Sequence, residues 1–170
     1  MAMFTSHKLN SMDDLLLDQL KDLYDAENRI TDALPKMADA ASSVELQAAF
    51  RDHLRETEEH VRRLEECFNK LGQSAERETC DAMKGLIKEG EHMLQAGGDP
   101  AVKDAALIAA AQRVEHYEMA GYGSARNFAQ RLGRHDVSDI LQKTLDEEGA
   151  ADEKLTRIAE TTVNRQAART

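Results

Sequence analysis

Residues 14–40 read DLLLDQLKDLYDAENRITDALPKMADA, and one charged residue inside that stretch decides how the chain is read. Leu16, Leu20, Leu23, Ile30, Leu34 and Ala38 recur at helical spacing. Each residue of an α-helix advances about 100° around the axis, so these side chains share one face. Glu27 falls on that same face. A carboxylate there must be paired, protonated or bound to a metal, because an isolated buried charge is far too costly.

Three further segments repeat the pattern. In the second, the apolar stripe is Leu46, Phe50, Leu54, Thr57, Val61, Leu64, Phe68 and Leu71. His53, Glu56 and His60 lie on its flank and can converge on one side of a helix. In the third, Leu107, Ile108, Ala111, Tyr122, Ala125 and Ala129 share a face with Glu115 and Glu118. His116 points away from it. In the fourth, Glu148 is central in Val137, Leu141, Thr144, Ala151, Leu155, Ile158 and Thr162, with Asp152 one turn on and Glu147 more lateral.

Punctuation sets the architecture. Helices are expected over about 12–41, 43–72, 76–96, 100–132 and 136–163, with Pro35 bending or breaking the first near Leu34. Ser42 with Glu45 suggests a capping box opening the second helix, and Asp99-Pro100 a restart. Short turns join the first long helix to the second and the third to the fourth, so each pair is an antiparallel hairpin. The connection between the hairpins is long and carries one or two short helices. The expected class is all-α: a single domain over 1–170 with a ferritin-like four-helix bundle of two hairpins joined by a crossover. A plain up-down bundle and an extended coiled-coil dimer are the alternatives.

The heights of the carboxylates agree with this. Glu27, Glu56, Glu115 and Glu148 each lie about 12–15 residues into their helices, near the middle in either chain direction. Single residues have blander readings: a flank glutamate is usually solvated, and His53 alone suits a satisfied core histidine. The levelled set makes the case. Inward carboxylates with a few histidines suit two divalent ions, iron or manganese, with zinc able to substitute.

Composition narrows the class. The chain has 170 residues, 22 basic against 32 acidic, and a net charge of −10. That argues against nucleic acid or an anionic membrane as partner. Cys67 and Cys80 form no metal-type or disulfide framework, so a reducing cytoplasm is expected. The opening stretch has no secretory pattern, and no segment offers the ~20 apolar residues of a membrane span.

Four pieces carry a family resemblance: LYDAENRI (23–30), DHLRETEEHVRRL (52–64), DAALIAAAQRVEHYEMAGYG (104–123) and LQKTLDEEGAADEKLT (141–156). With them the chain resembles the YciF-type ferritin-like proteins of bacteria. The resemblance implies a four-helix fold with extra short helices, a homodimer and a link to stress responses, without a firmly assigned reaction. It places Glu27, Glu56, Glu115, Glu118 and Glu148 at inward acidic positions, and Asp152 also fits. Ala151 and Glu59 stand where a Glu-x-x-His pattern such as that of rubrerythrin would place histidine. That implies a site poorer in histidine, more labile, or holding one metal.

The expected function is therefore a metal-binding stress protein with a dinuclear site capable of oxygen or peroxide chemistry. Glu115 or Glu27 is expected to bridge the ions. Glu56, His53 or His60, Glu118, Glu148 and Asp152 would complete the shell, with the electron donor unidentified. A structural or interaction protein that has lost the chemistry, and an iron-storage cage, are the competing readings.

Overall fold

A computed structural model describes residues 9–169; residues 1–8, within the stretch read for a leader, and Thr170 lie outside them. The described residues are all-helical, without strands. Four long helices run α1 Met12–Ala40, α2 Val44–Lys70, α4 Pro100–Arg131 and α5 His135–Ile158, with α3 Asp81–Gln95 between the second and third. A π-helical turn, Ala159–Val163, and the short α6 Asn164–Ala167 end the chain. No described helix is long and apolar enough to cross a membrane.

Helix α1 packs on α2 and α4, α5 packs on α2 and α4, and α3 lies over α1 and α4. The core falls into two apolar clusters. One gathers Leu16, Leu20 and Leu23 with Leu64, Phe68, Ala125, Ala129, Val137 and Leu141. The other gathers Ile30 and Leu34 with Leu46, Phe50, Met83, Leu107, Ile108, Leu155 and Ile158. The start of α1 thus meets the end of α2, and the end of α4 meets the start of α5, so both pairs run antiparallel. Between the clusters, every long helix contributes buried polar side chains, Glu27, His60, Glu118 and Glu148 among them.

Local differences from the sequence pattern have physical causes. Helix α1 runs unbroken through Pro35. The lost backbone hydrogen bond is offset by burial of Leu34 and Ala38 on either side. The cap of α2 is Ser43, not Ser42. Ser42 is held by Asp104 of α4: its N–H and hydroxyl donate to that carboxylate at 2.8 and 2.7 Å, and the Ser43 N–H donates at 2.8 Å. Asp104 is buried and ties the α1–α2 turn to α4. Asp104→Ala is expected to cost about 1.5–3 kcal/mol, because the two backbone N–H groups and the Ser42 hydroxyl lose their charged acceptor; urea unfolding reads it directly.

The third helix starts at Asp81 rather than near 76, with Cys80 as its cap. The chain before it is captured by Asp25 of α1, which accepts from Arg77 Nε at 2.9 Å and from the Cys80 N–H at 2.9 Å. Arg29 Nε donates to the same carboxylate at 2.6 Å. Burial opposes ionisation of Asp25, but these donors outweigh it and hold its carboxyl below the usual range. A lowered folded pKa adds stability above the unfolded value of about 3.9, and that stability is lost as pH falls through the folded value. Asp25→Asn should therefore destabilise the protein at neutral pH. The gap from wild type should close under acid as the wild-type carboxyl protonates, which denaturant midpoints across pH will show.

Candidate metal centre

The polar layer between the two apolar clusters is built entirely from helix interiors. Glu27 comes from α1, His53 and His60 from α2, Glu115 and Glu118 from α4, and Glu148 from α5. The two histidines are seven residues apart, about two turns, so both rings face the same way at different heights. Glu115 and Glu118 sit one turn apart on α4 for the same reason. All six side chains are buried, and Glu27, His60, Glu118 and Glu148 have 0% exposure.

Their atoms converge in two groups. His53, Glu115, Glu118 and Glu148 form one; Glu27, His60 and Glu148 form the other; within each, the donor atoms lie within 4.8 Å of one another. His53 Nε2 is 3.3 Å from Glu115 Oε2 and 3.7 Å from Glu148 Oε2. His60 Nδ1 is 2.9 Å from Glu148 Oε1 and 3.4 Å from Glu27 Oε1. Glu148 therefore presents one oxygen to each histidine. It is the carboxylate shared by both groups, the place the sequence reading gave to Glu115 or Glu27.

Hydrogen bonding leaves this layer unsatisfied. Glu27 Oε2, Glu115 Oε2, both oxygens of Glu118, both of Glu148, His53 Nε2 and His60 Nδ1 are buried without a hydrogen-bond partner among the described residues. Buried polar atoms are normally paired, so this many facing inward needs an explanation. The nitrogens approach the oxygens without hydrogen-bond geometry, gathering around common points.

The electrostatics follow. Burial, then the neighbouring Glu148, Glu27 and Glu115, pushes the Glu118 carboxyl well above its ordinary value. Burial chiefly raises Glu148, to about 7. Burial works against a charge on His60, yet Glu148 and Glu27 lift it to about 10. His53 is likewise raised, against its burial, by Glu115 and Glu56. Without a cation, the layer has more carboxylates than it can keep ionised.

Residues 11–168 match the family model described as a domain of unknown function, DUF892.

The chain belongs to the DUF892 family.

Protein YciF of Escherichia coli K12 is 40% identical over 160 residues, covering 94% of this DUF892 chain and 96% of YciF. The crystal structure of that E. coli stress protein matches with a TM-score of 0.88, covering 92% of this chain and 99% of the other. YcfI of Rhodopseudomonas palustris, 44% identical, matches with a TM-score of 0.86 over 90% of this chain and 98% of its own. A Xanthomonas campestris protein at 21% identity shares the fold, with a TM-score of 0.74, 94% of this chain and 98% of that one being covered.

Two sequence candidates stand outside both groups of this family member. Glu56 is half-exposed, and its Oε2 lies 3.4 Å from His53 Nδ1, the nitrogen turned away from the layer. Asp152 accepts from Gln112 Nε2 at 3.0 Å and faces His116 Nε2 at 3.3 Å. Asp152 lies one turn from Glu148, but its carboxylate is drawn aside to these two residues of α4.

The sequence reading missed Glu147 and Arg63. Glu147 Oε2 lies 2.8 Å from His60 Nε2, and Arg63 donates to both Glu147 oxygens at 2.6 and 2.9 Å. Each histidine thus has a carboxylate at its outer nitrogen and its other nitrogen aimed inward. Tyr122 donates its hydroxyl to Glu27 Oε1. Arg63, three residues after His60, was the one local hint of the Glu147 contact. A cavity of about 120 Å³ between α2 and α5 leads to this layer past His53, Glu56 and Glu147.

Proposed function

We propose that this protein is a ferritin-like four-helix bundle that binds two divalent transition-metal ions, iron or manganese, with zinc as a substitute. It works as a cytoplasmic homodimer in bacterial stress response, as the stress-protein designation of its E. coli relative suggests. The supporting observation is the set of buried oxygens and imidazole nitrogens that converge without hydrogen-bond partners. Oxygen and imidazole donors are the set that iron and manganese prefer. Bound ions of this kind supply Lewis acidity and one-electron chemistry toward oxygen or peroxide.

The chain's own groups have separable tasks. Glu148 spans the two positions. His53, Glu115 and Glu118 would hold one ion, and Glu27 and His60 the other. Tyr122 orients Glu27, and Glu147, locked by Arg63, holds the outer N–H of His60 and so fixes which nitrogen faces the metal. Outer partners of this kind typically contribute about 10–100-fold in metal affinity. Glu147→Ala should weaken manganese binding by about that factor, and Glu147→Gln by less, because the amide oxygen still accepts. Calorimetric titration of the metal-free protein compares the two.

One observation favours a second reading, a structural protein without metal chemistry. The Tyr122–Glu27 hydrogen bond and the approach of His60 to Glu148 already neutralise part of the layer. YcfI of Rhodopseudomonas palustris is named, provisionally, as a structural protein. That reading expects a melting curve unmoved by chelators, and sedimentation velocity separates the dimer from a storage cage.

A further inference from the structure

A second cavity reaches the same layer from the opposite side. It measures about 40 Å³ and lies beneath α3, between α1 and α4. Its walls are Ile30 and Leu34 of α1, Leu86 and Ile87 of α3, and Ala111 and Val114 of α4. Polar groups occur only at its ends. Lys36 and Glu91, 3.9 Å apart, sit at the solvent end, both half-exposed. Glu115, 2% exposed, closes the inner end.

The space is a product of sequence. Ala110 and Ala111 of α4 present methyl groups where a filled core would carry branched side chains, and α3 offers Gly90 opposite Ala110. Unfilled space deprives its lining of dispersion contacts, so leaving it open costs stability. The volume would admit a water, but a buried water needs two to four polar partners and only Glu115 is at hand. A bare cation in an apolar passage is costlier still. Ions are better served by the polar mouth at Glu56 and Glu147. What suits the cavity beneath α3 is a small uncharged apolar molecule.

We propose that this cavity binds a small apolar molecule of the dioxygen class and holds it against Glu115. What the molecule does there rests on the metal reading above; its binding does not. The test uses the full-length metal-free protein with methyl groups labelled, and dissolved dioxygen under pressure as a paramagnetic probe. The methyl signals of Val114, Leu86 and Ile87 should relax several-fold faster than those of Leu64 and Leu141, which are at least as buried but distant from the cavity. Ala111→Leu should abolish the difference by filling the space. Gly90→Met is the second filler, since a Cβ at Gly90 meets only Ala110 Cβ at 4.0 Å. Xenon in pressurised crystals should sit in the same place and be lost in the same variants. Equal relaxation of all these methyls in the wild-type protein, or an enhancement that survives both fillers, would overturn the proposal. A protein that binds dioxygen here but no metal would overturn the function proposed above and leave this site standing.

Discussion

Replacing Glu148 by alanine is expected to strip the protein of both metal ions, whereas replacing Glu27 removes one. The asymmetry comes from geometry. Glu148 offers Oε1 toward His60 and Oε2 toward His53, and it is the residue common to both groups of donor atoms. Without it, the second group keeps only Glu27 and His60, and the first loses the Oε2 that faces His53 and keeps only His53, Glu115 and Glu118. Glu27 belongs to a single group, so His53, Glu115, Glu118 and Glu148 remain to hold one ion. Neither change should unfold the metal-free protein, because each removes a carboxylate from a crowded buried set. Equilibrium dialysis with manganese gives the stoichiometry, and circular dichroism checks the fold. A Glu148→Ala protein that still binds about two ions per chain, the number a paired site would hold, would refute the shared role of Glu148.

The second large effect is on stability, and it reverses sign between two forms of the protein. A ligand present at about one hundred times its Kd, bound only to the native state, adds about 2.7 kcal/mol. For a chain of this size that raises the melting temperature by about 5–11 °C. Glu118→Leu should behave in the opposite way. Both Glu118 oxygens are buried without partners among the described residues, and burial, then Glu148, pushes its carboxyl well above the ordinary value. A buried polar group without a partner costs about 1–3 kcal/mol, so an apolar side chain of similar size should raise the melting temperature of the metal-free protein. The same variant should show little or no increment with manganese. Differential scanning calorimetry with and without manganese reads both effects. A Glu118→Leu protein less stable than the metal-free wild type would mean that the carboxyl has a structural partner in solution.

Much of this was legible in the residues because helices make distance along the sequence into direction. Glu27, Glu115, Glu118 and Glu148 fall on apolar faces by simple periodicity, and the structure buries all four. His53 and His60 were visible as flank residues, but which ring nitrogen faces inward depends on Glu56 and Glu147. Glu147 looked lateral on its own helix, and only the packing of α5 against α2 brings it to His60. Asp152 is the opposite case: its spacing from Glu148 is helical, yet Gln112 and His116 of α4 draw its carboxylate aside.

The misread boundaries share one cause. Ser42 and the segment before Asp81 are fixed by Asp104 and Asp25, partners 62 and 55 residues away. A local pattern carries no trace of such partners. The π-helical turn at Ala159–Val163, which buries Val163, was likewise invisible in a periodicity that assumes a regular helix.

The most direct measurement is elemental analysis of the untagged protein purified from its native host, expressed as metal per chain. A dinuclear carboxylate site predicts about two iron or manganese ions per chain. A protein that carries no metal as isolated, and takes up none on anaerobic reconstitution, would contradict it.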